Sequence, residues 1–355
     1  MKINELFNAR AVALNRTEVE SNKIPFLGEQ FFPNKTIMGL DLKWIKSTKG
    51  LGVALAPSNF DALATIRPRQ GFQVVHNEMP LFRESMQVKE RDMMEIARIQ
   101  AADDPYADAV LADIYDDTNI LLDGADIAVE RMRMQLLSAQ DGNVQISIGT
   151  KDNMIYLYDY DADHTWKGTN YMGITTDADK WDHSTAKPLT DLANAKKALA
   201  KKGYTAAYAI MNSTTWAYLS SVTQIANALV TISGTAVSYI DDAIVAEVFR
   251  RKTGITPIVY DKQYVGYDGN TANFYPDNYC TVIGADSVGS TVYGTTPEQR
   301  TLLGDPKADV AILDRGVAVA VQTTYGPPVA TATTVSQVVL PSYEAMDAVY
   351  VIKVA

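Results

Sequence analysis

The sequence predicts an α+β protein, and three patterns along its 355 residues indicate that class. Apolar residues recur at helical spacing from Val110 to Ala139, which is typical of one long helix. Short runs that alternate with period two lie between Phe26 and Arg83, as expected of antiparallel strands. Helices and strands then alternate between about 185 and 265, as in a compact α/β domain. At about 150 residues per domain, this length accommodates roughly two domains.

The composition is that of a folded protein without a disulfide framework. Hydrophobic residues make up 47% of the chain and charged residues 21%, which argues against intrinsic disorder. A formal net charge of −10 disfavours a protein whose main task is to bind nucleic acid. The one cysteine, Cys280, fits synthesis in a reducing cytoplasm. No signal peptide is expected at the N-terminus, and the apolar window from Ile225 to Ile240 is too short for a membrane span.

The N-terminal quarter of the chain is expected to lack a core of its own. Residues 1–25 are polar with scattered apolar positions, which indicates an arm with a short helix. From Phe26 to Arg83, glycines and prolines punctuate short alternating runs such as Leu40–Lys46. These runs contain few large apolar side chains, so we expect an extended hairpin that packs on something else.

One long helix follows this hairpin. Asp104 is a suitable N-cap, and Pro105 suits the first helical position, where its missing N–H costs nothing. The apolar face continues until Asp141 and Gly142, which predicts about 35 residues, or roughly 50 Å at 1.5 Å per residue. Residues 88–102 are also helical in pattern. A helix of this length is unusual in a compact enzyme.

The remaining elements are shorter. A strand hairpin is expected from Val144–Ile148 and Met154–Tyr158, and residues 284–307 are expected to form a loop rich in glycine and threonine. The other predicted elements are helices at Thr190–Lys202, Ser213–Ser221 and Asp241–Lys252, and strands at Ala206–Met211, Pro257–Tyr260, Val310–Val321 and Val335–Val354.

Two patterns of acidic residues and histidines suggest metal sites, and both fail in detail. Asp159, Asp161 and Asp163 have the spacing of the first three ligands of a calcium loop. His164 and Asn170 then replace the required glycine and glutamate, so a solvated loop is the better interpretation. A metal-dependent hydrolase that uses Asp161, Asp163, His164 and His183 is kept as an alternative, although these residues have no helical ligand spacing.

Other chemical motifs are incomplete. The glycines at 289 and 294 have phosphate-loop spacing, but Thr295 and Thr296 stand where lysine and serine or threonine are required. Cys280 lies in an apolar run and is interpreted as a core residue. The basic clusters at 196–197, 201–202 and 250–252 fall on the last turns of predicted helices, where cations favour the helix dipole. No catalytic residue, metal or cofactor is therefore predicted.

Two arginines stand apart from these clusters. Arg67 and Arg69 flank Pro68 on the predicted hairpin, where no hydrophobic core is expected for their side chains to pack against. An arginine in such a place commonly binds a carboxylate on another surface. Three glutamates downstream are candidate partners on a neighbouring copy: Glu78, Glu84 and Glu90.

The order of these elements resembles the major capsid proteins of tailed bacteriophages with the Hong Kong 97 type fold. Several motifs in the same order resemble the lambda-type branch, the major capsid protein E family. They are Phe31-Phe32-Pro33, Gly39–Lys46, Gly50–Ser58, Ala64–Phe72, Glu78–Glu84, Val292–Glu298, Pro341–Glu344 and Val349–Val354. The resemblance extends from about residue 25 to the end of the chain.

The resemblance implies a head protein that self-assembles into hexamers and pentamers and forms an icosahedral shell around the phage DNA. It implies a virion location after assembly in the bacterial cytoplasm, and scaffold, portal and possible decoration proteins as partners, without membrane contact or sequence-specific DNA contact. The implied parts are an N-arm (1–25), an E-loop (26–85), a peripheral domain with the spine helix (86–180), an axial domain (181–280) and return strands to both domains (281–355).

The residues expected to act in intersubunit assembly are Trp44, Lys46, Arg67, Arg69, Phe72, Glu78, Phe82, Arg83, Glu84 and Glu90. The founding member of the fold cross-links an E-loop lysine to a neighbouring asparagine, but this property is not transferred to Lys46 or Lys49. Besides the hydrolase, a tail-tube or adaptor protein of the virion is a further alternative.

Overall fold

The computed structural model describes residues 25–46, 73–88, 106–149, 155–233, 241–266, 269–302, 309–312, 316–324 and 330–355, together with residues 90, 91, 93, 94 and 98. These residues form a mixed helix and strand structure that divides into two compact units. The described residues of unit 1 come from the ranges 1–42, 76–131 and 290–342. Those of unit 2 come from 43–75, 132–289 and 343–355. No described helix is long and apolar enough to cross a bilayer.

Unit 1 is built on a six-stranded sheet whose central member is the 13-residue strand β16 (Ala330–Ser342). β16 pairs with β13 (Ser290–Tyr293), β15 (Ala318–Thr324) and β4 (Leu81–Val88), antiparallel in each case. The outer strands are β1 (Asn34–Thr36), parallel to β13, and β14 (Asp309–Ile312), antiparallel to β15. The short helices α1 (Gly28–Phe31) and α8 (Pro297–Leu302) complete the unit.

The long predicted helix is present as α2 (Tyr106–Ser138), with 33 residues. Its residues Leu121 and Leu122 are buried with Val319 and Val335 of the sheet in unit 1. It ends three residues before the predicted stop, where Ala139 takes a left-handed conformation with φ of 35°. The predicted start at Asp104 and Pro105 lies outside the described residues. Residues 90, 91, 93, 94 and 98 are helical, as expected, whereas Val88 still belongs to β4.

Unit 2 is built on a five-stranded sheet in the order β7-β17-β12-β8-β9. The strands are β7 (Tyr171–Gly173), β8 (Tyr208–Met211), β9 (Thr256–Val259), β12 (Tyr279–Ile283) and β17 (Val349–Lys353). β12 is antiparallel to both of its neighbours, and the outer pairs β17·β7 and β8·β9 are parallel.

Four helices cover the core of unit 2: α4 (Pro188–Lys201), α5 (Ser213–Ser221), α6 (Thr223–Ser233) and α7 (Asp242–Thr253). Trp181, Leu192, Phe249 and Ile352 are among the fully buried residues of this core. Local capping sets the helix ends: the side chain of Asn212 accepts the N–H of Thr215 at the start of α5. Gly254, with φ of 72°, ends α7.

Six further strands form three two-stranded sheets. β5 (Gln145–Gly149) pairs with β6 (Ile155–Asp159), as the sequence predicted, and β10 (Gln263–Val265) pairs with β11 (Thr271–Asn273). β2 (Asp41–Lys46) pairs with β3 (Gln73–Glu78) in a third ribbon. A short helix α3 (Lys167–Asn170) precedes β7.

Two local predictions are wrong, and one helix was missed. The segment 284–307 is not only loop, because its buried residues Val292 and Tyr293 pair with β16 as part of β13, and α8 follows. Helix α4 begins at Pro188 instead of Thr190, since proline is favoured in the first turn of a helix. Helix α6 was not predicted, because its window had been considered only as a membrane span.

The ends of the predicted 26–85 hairpin also need correction. Phe31 and Phe32 are fully buried, β1 pairs with β13, and β4 pairs with β16. These strands therefore have a core within the chain, supplied by residues that lie more than 200 positions later in the sequence. The sheet that contains β8 and β12 also includes β7 and β17, which lie on either side of the predicted 181–280 domain in the sequence. The predicted domain bounds stay a prediction.

Candidate assembly surface

The ribbon of β2 and β3 is held at its base by contacts in both strands. The N–H of Met79 donates to the carbonyl of Leu40 at 2.9 Å. On β2, Trp44 is buried and its ring centroid lies 5.3 Å from that of Tyr160 in unit 2. Burial raises the pKa of Tyr160 well above its ordinary value. Trp44 thus packs within its own chain, and an intersubunit role for it stays a prediction.

Arg83 is paired within unit 1. Its Nη2 lies 2.5 Å from Oε1 of Glu298, whose side chain is only 10% exposed. The hydroxyl of Ser336 donates to Oε2 of the same carboxylate at 2.7 Å. The carboxylate of Glu298 on α8 therefore contacts both β4 and β16. Arg83 thus has a partner within its own chain, and its role in assembly stays a prediction.

Replacing Glu298 with glutamine should lower the free energy of unfolding by about 1–3 kcal/mol, because Arg83 then loses the nearly buried carboxylate that it binds and Ser336 loses a charged acceptor. Urea unfolding of the purified subunit measures this. The matched control is Glu247→Gln, which breaks the exposed pair of Glu247 and Arg251, with side chains 51% and 59% exposed. That pair is worth at most about 0.5 kcal/mol. Equal effects of the two substitutions would contradict the prediction.

The remaining predicted assembly residues fall into two groups. Glu78, Glu84 and Glu90 are exposed in the chain, and Phe82 is partly exposed on β4. Lys46 ends β2. Arg67, Arg69 and Phe72 lie outside the described residues. The proposed arginine and glutamate set therefore stays a prediction.

The loop after β6 uses its carboxylates to hold the main chain. Asp161 accepts the N–H of Trp166 and the N–H of Lys167, both at 3.0 Å. Asp159 accepts the N–H of Asp161 at 2.9 Å, and Asp163 accepts the hydroxyl of Thr165 at 3.1 Å. The three carboxylates thus act as turn and helix caps. Among the described residues, no three histidine, cysteine, aspartate or glutamate side chains converge as a metal site requires.

A chelator should therefore leave the unfolding temperature of the protein unchanged within about one degree, since these oxygens already accept main-chain hydrogen bonds. Differential scanning fluorimetry with and without EDTA checks this, with excess calcium as the reverse test. A drop of several degrees that calcium restores would assign a structural cation to this loop.

The other chemical candidates have structural partners. Cys280 is fully buried on β12, and burial raises the pKa of its thiol. Lys196 donates to the carbonyl of Thr253 at 2.8 Å and so caps α7. Lys202 binds Asp347 at 2.6 Å and also Asn170. Lys201 and the cluster 250–252 thus lie in the last turns of α4 and α7, as predicted, whereas Lys196 and Lys202 bind groups of other elements. The segment between Gly289 and Gly294 contains β13.

A cavity of about 310 Å³ in unit 2 contains none of the four residues of the hydrolase alternative. It is lined by residues 172–176, Asp179, Lys187, Thr190 and Asp191. Burial raises the pKa of Asp191, which accepts the indole N–H of Trp181 at 2.9 Å. His164 and His183 are exposed on separate loops. The cavity and the histidines therefore do not form one site.

Sequence reasoning missed one surface. Ile155, Tyr156 and Leu157 on β6 are consecutive apolar residues that remain 69%, 48% and 58% exposed. The sequence pattern of the hairpin predicts that this segment is a strand, but it does not predict that these three side chains are exposed. The sequence did contain a signal for an exposed apolar surface: this five-residue strand has two aromatic and two aliphatic residues and lies next to a polar loop.

A family model described as phage major capsid protein E matches residues 12–306 of the chain. A search of curated proteins finds no match. Among solved structures, the putative capsid protein of a prophage of E. coli CFT073 has a TM-score of 0.60 at 14% identity, covering 98% of this chain and 99% of that one.

Two further structures are similar over nearly the whole chain. A phage-related protein from Bordetella bronchiseptica RB50 has a TM-score of 0.56 at 12% identity, covering 96% of each chain. The capsid asymmetric unit of cyanophage A-1(L) has a TM-score of 0.53 at 12% identity, covering 93% of this chain and 92% of that one. At these identities the likeness shows the fold, and it confirms the predicted α+β class and Hong Kong 97 type architecture.

Proposed function

We propose how copies of this chain build a shell, from the premise that the chain belongs to the phage major capsid protein E family. The protein is a phage major capsid protein, and its role is to form the capsid shell. The single observation that carries this conclusion is the family match over residues 12–306, which includes parts of both compact units. The mode of assembly, the partners and the domain roles described next are our proposals.

The shell is assembled from hexamers and pentamers around double-stranded DNA. In this proposal unit 2 supplies the axial domain, with its five-stranded sheet and four covering helices, and unit 1 supplies the peripheral domain, with its six-stranded sheet. Residues 1–25 are the N-arm. The E-loop is the excursion between β2 and β3, so it is narrower than the 26–85 range expected from sequence. The paired strands at its base and the buried Trp44 support this assignment.

The protein acts without catalysis. The family is a structural one, and two residues of the hydrolase alternative, Asp161 and Asp163, accept hydrogen bonds within their own loop. Asp161 is held by two main-chain N–H groups, and His164 and His183 are exposed on separate loops. The alternative is retained only as an outcome that an activity assay could reveal.

The proposed partners are other copies of this chain first, then a scaffold, a portal and a possible decoration protein, and packaged DNA. The net charge of −10 suits a container whose lining should not immobilise its contents. The mature protein lies in the virion capsid, and assembly takes place in the host cytoplasm.

Expression of the full chain, alone and with its scaffold, tests this function. Negative-stain electron microscopy should show closed or tubular particles hundreds of ångströms across, because a shell repeats each contact over hundreds of copies. A stable monomer under all assembly conditions, with turnover of a small substrate, would contradict the proposal.

A further inference from the structure

The outer edge of β6 is an exposed apolar strand edge. Its residues Ile155, Tyr156 and Leu157 are 69%, 48% and 58% exposed, although neighbouring side chains in a strand point to opposite faces. Exposure on both faces means that the described parts of the chain cover neither face here. An exposed apolar strand edge is a template for pairing with another chain.

The opposite edge of this hairpin, that of β5, is already occupied. The side chain of Gln135 accepts the N–H of Ser147 at 3.1 Å and donates to the carbonyl of Ser147 at 3.2 Å. One carboxamide of α2 thus takes the place of a neighbouring strand. Among the described residues, this carboxamide occupies the β5 edge at Ser147, and no strand pairs with the outer edge of β6.

The hydrogen-bond pattern shows which β6 groups point outward. Ser147 lies opposite Leu157, and the main-chain groups of Ser147 point away from β6 toward Gln135. In an antiparallel pair, opposite residues point their main-chain groups either both inward or both outward. Those of Leu157 therefore point outward, as do those of Ile155 and Asp159 by alternation. The N–H of Tyr160 donates to the carbonyl of Val144, so the main-chain groups of the even-numbered residues point inward, between the two strands. This agrees with an outward direction for the odd-numbered residues of β6.

We propose that this edge pairs with the same edge of a second copy of the chain, antiparallel across a two-fold axis at Leu157. In this register Leu157 faces Leu157 of the second copy, and Ile155 faces Asp159. Every outward main-chain group then meets an outward group, so the edge is self-complementary, as an isologous contact requires. Tyr156 and Tyr158 also face each other across the axis, and aromatic cross-strand pairs are stabilising.

The occupant is a second copy because the chain assembles with itself, so this inference rests on the proposed function. The strand Ile-Tyr-Leu-Tyr-Asp also lacks the devices that keep an edge unpaired in a monomer: lysine, proline and a bulge. The pairing would form a four-stranded sheet from two hairpins and place the three apolar side chains beside those of the second copy.

Disulfide cross-linking of assembled particles tests the register. Residues that face each other as a hydrogen-bonded pair have Cα atoms about 5.5 Å apart, within the range of a disulfide. Leu157→Cys should therefore give covalent dimers in most subunits after mild oxidation, read on a non-reducing gel. The native Cys280 is fully buried and contributes no background.

The matched control is Ile155→Cys, on the same strand and at similar exposure. Its Cα lies four residues from that of its counterpart across the axis, about 13 Å along the strand, so dimers should be at least tenfold fewer. Equal cross-linking of the two variants, or none of Leu157→Cys in intact particles, would overturn the proposal.

If Leu157→Cys does not assemble, hydrogen exchange on the wild-type protein decides. The amides of Ile155 and Leu157 should exchange at least tenfold more slowly in particles than in free subunits, and unchanged exchange would overturn the pairing. Electron microscopy of the same wild-type sample separates the two hypotheses. Particles without protection refute only the β6 contact, whereas the absence of particles refutes the proposed function and this inference with it.

Discussion

Replacing Gly294 with alanine is expected to destabilise unit 1 by about 3 kcal/mol or more, because a new methyl group would meet atoms that have no room to move. A Cβ at this position would lie 2.5 Å from the carbonyl oxygen of Gly39 and 2.6 Å from the methyl carbon of Met79. It would also lie 3.0 Å from Cγ1 of Val338.

The carbonyl of Gly39 is main chain and is fixed by the surrounding bonds. Gly294 itself donates to the carbonyl of Val338 at 2.8 Å, and Thr295 donates to the carbonyl of Gly39 at 3.2 Å. Relieving the clash would require breaking one of these bonds or moving the turn that leads into β2. Gly294 is therefore required for the close approach of the residue 37–40 turn to β13.

Calorimetry of the purified variant measures this effect as a fall in unfolding temperature of several degrees. The matched control is Gly124→Ala on α2, where an added Cβ would meet nothing within 4 Å. That substitution should stabilise the protein by up to about 1 kcal/mol, since alanine is the better helix former. The same chemical change should thus act in opposite directions at the two sites, and a neutral Gly294→Ala would contradict the steric argument.

The elements that local cues define were predicted from sequence. Helix α7 begins after Asp241, whose side chain accepts the N–H of Ile244 at 2.9 Å, and it ends at Gly254. Helix α5 and the hairpin of β5 and β6 were also placed within a residue or two. In each case the residues that begin and end the element are within it or adjacent to it.

The elements that depend on distant partners were not predicted. The hydroxyl of Thr291 donates to the carbonyl of Phe32, 259 positions away, and the N–H of Gly28 donates to Glu130, 102 positions away. The first of these bonds lies next to the pairing of β1 with β13, and the second joins α1 to α2. Neither β1 nor β13 has a strong strand pattern alone. Long-range pairing overrides weak local propensity in such cases.

The same distinction applies to the candidate site. Arg83 and Trp44 were assigned to assembly from sequence. Glu298 and Tyr160 are those partners within the chain. The exposed apolar edge of β6 was missed for the opposite reason, because alternation predicts a strand but does not say which of its faces stays uncovered.

The double reversal Arg67→Glu with Arg69→Glu is expected to abolish particles while leaving the subunit folded. Both arginines lie in the segment between β2, which ends at Lys46, and β3, which begins at Gln73. The described sheets and helices of both units are built from other residues, so we expect near-wild-type circular dichroism and melting. An exposed ion pair is worth at most about 1 kcal/mol, but a closed shell repeats each contact over hundreds of copies.

The matched control is Lys197→Glu with Lys201→Glu, because these lysines are exposed on α4 and the change makes the net charge more negative by the same amount. Loss of particles in both variants would indicate general charge repulsion instead of a specific contact.

Loss in the arginine variant alone, with partial rescue by Glu78→Arg, Glu84→Arg or Glu90→Arg, would identify the partner carboxylate. Normal particle yield from the arginine variant, measured by sedimentation and electron microscopy, would refute the assignment. Misfolding of that variant would instead show that Arg67 and Arg69 stabilise their own subunit.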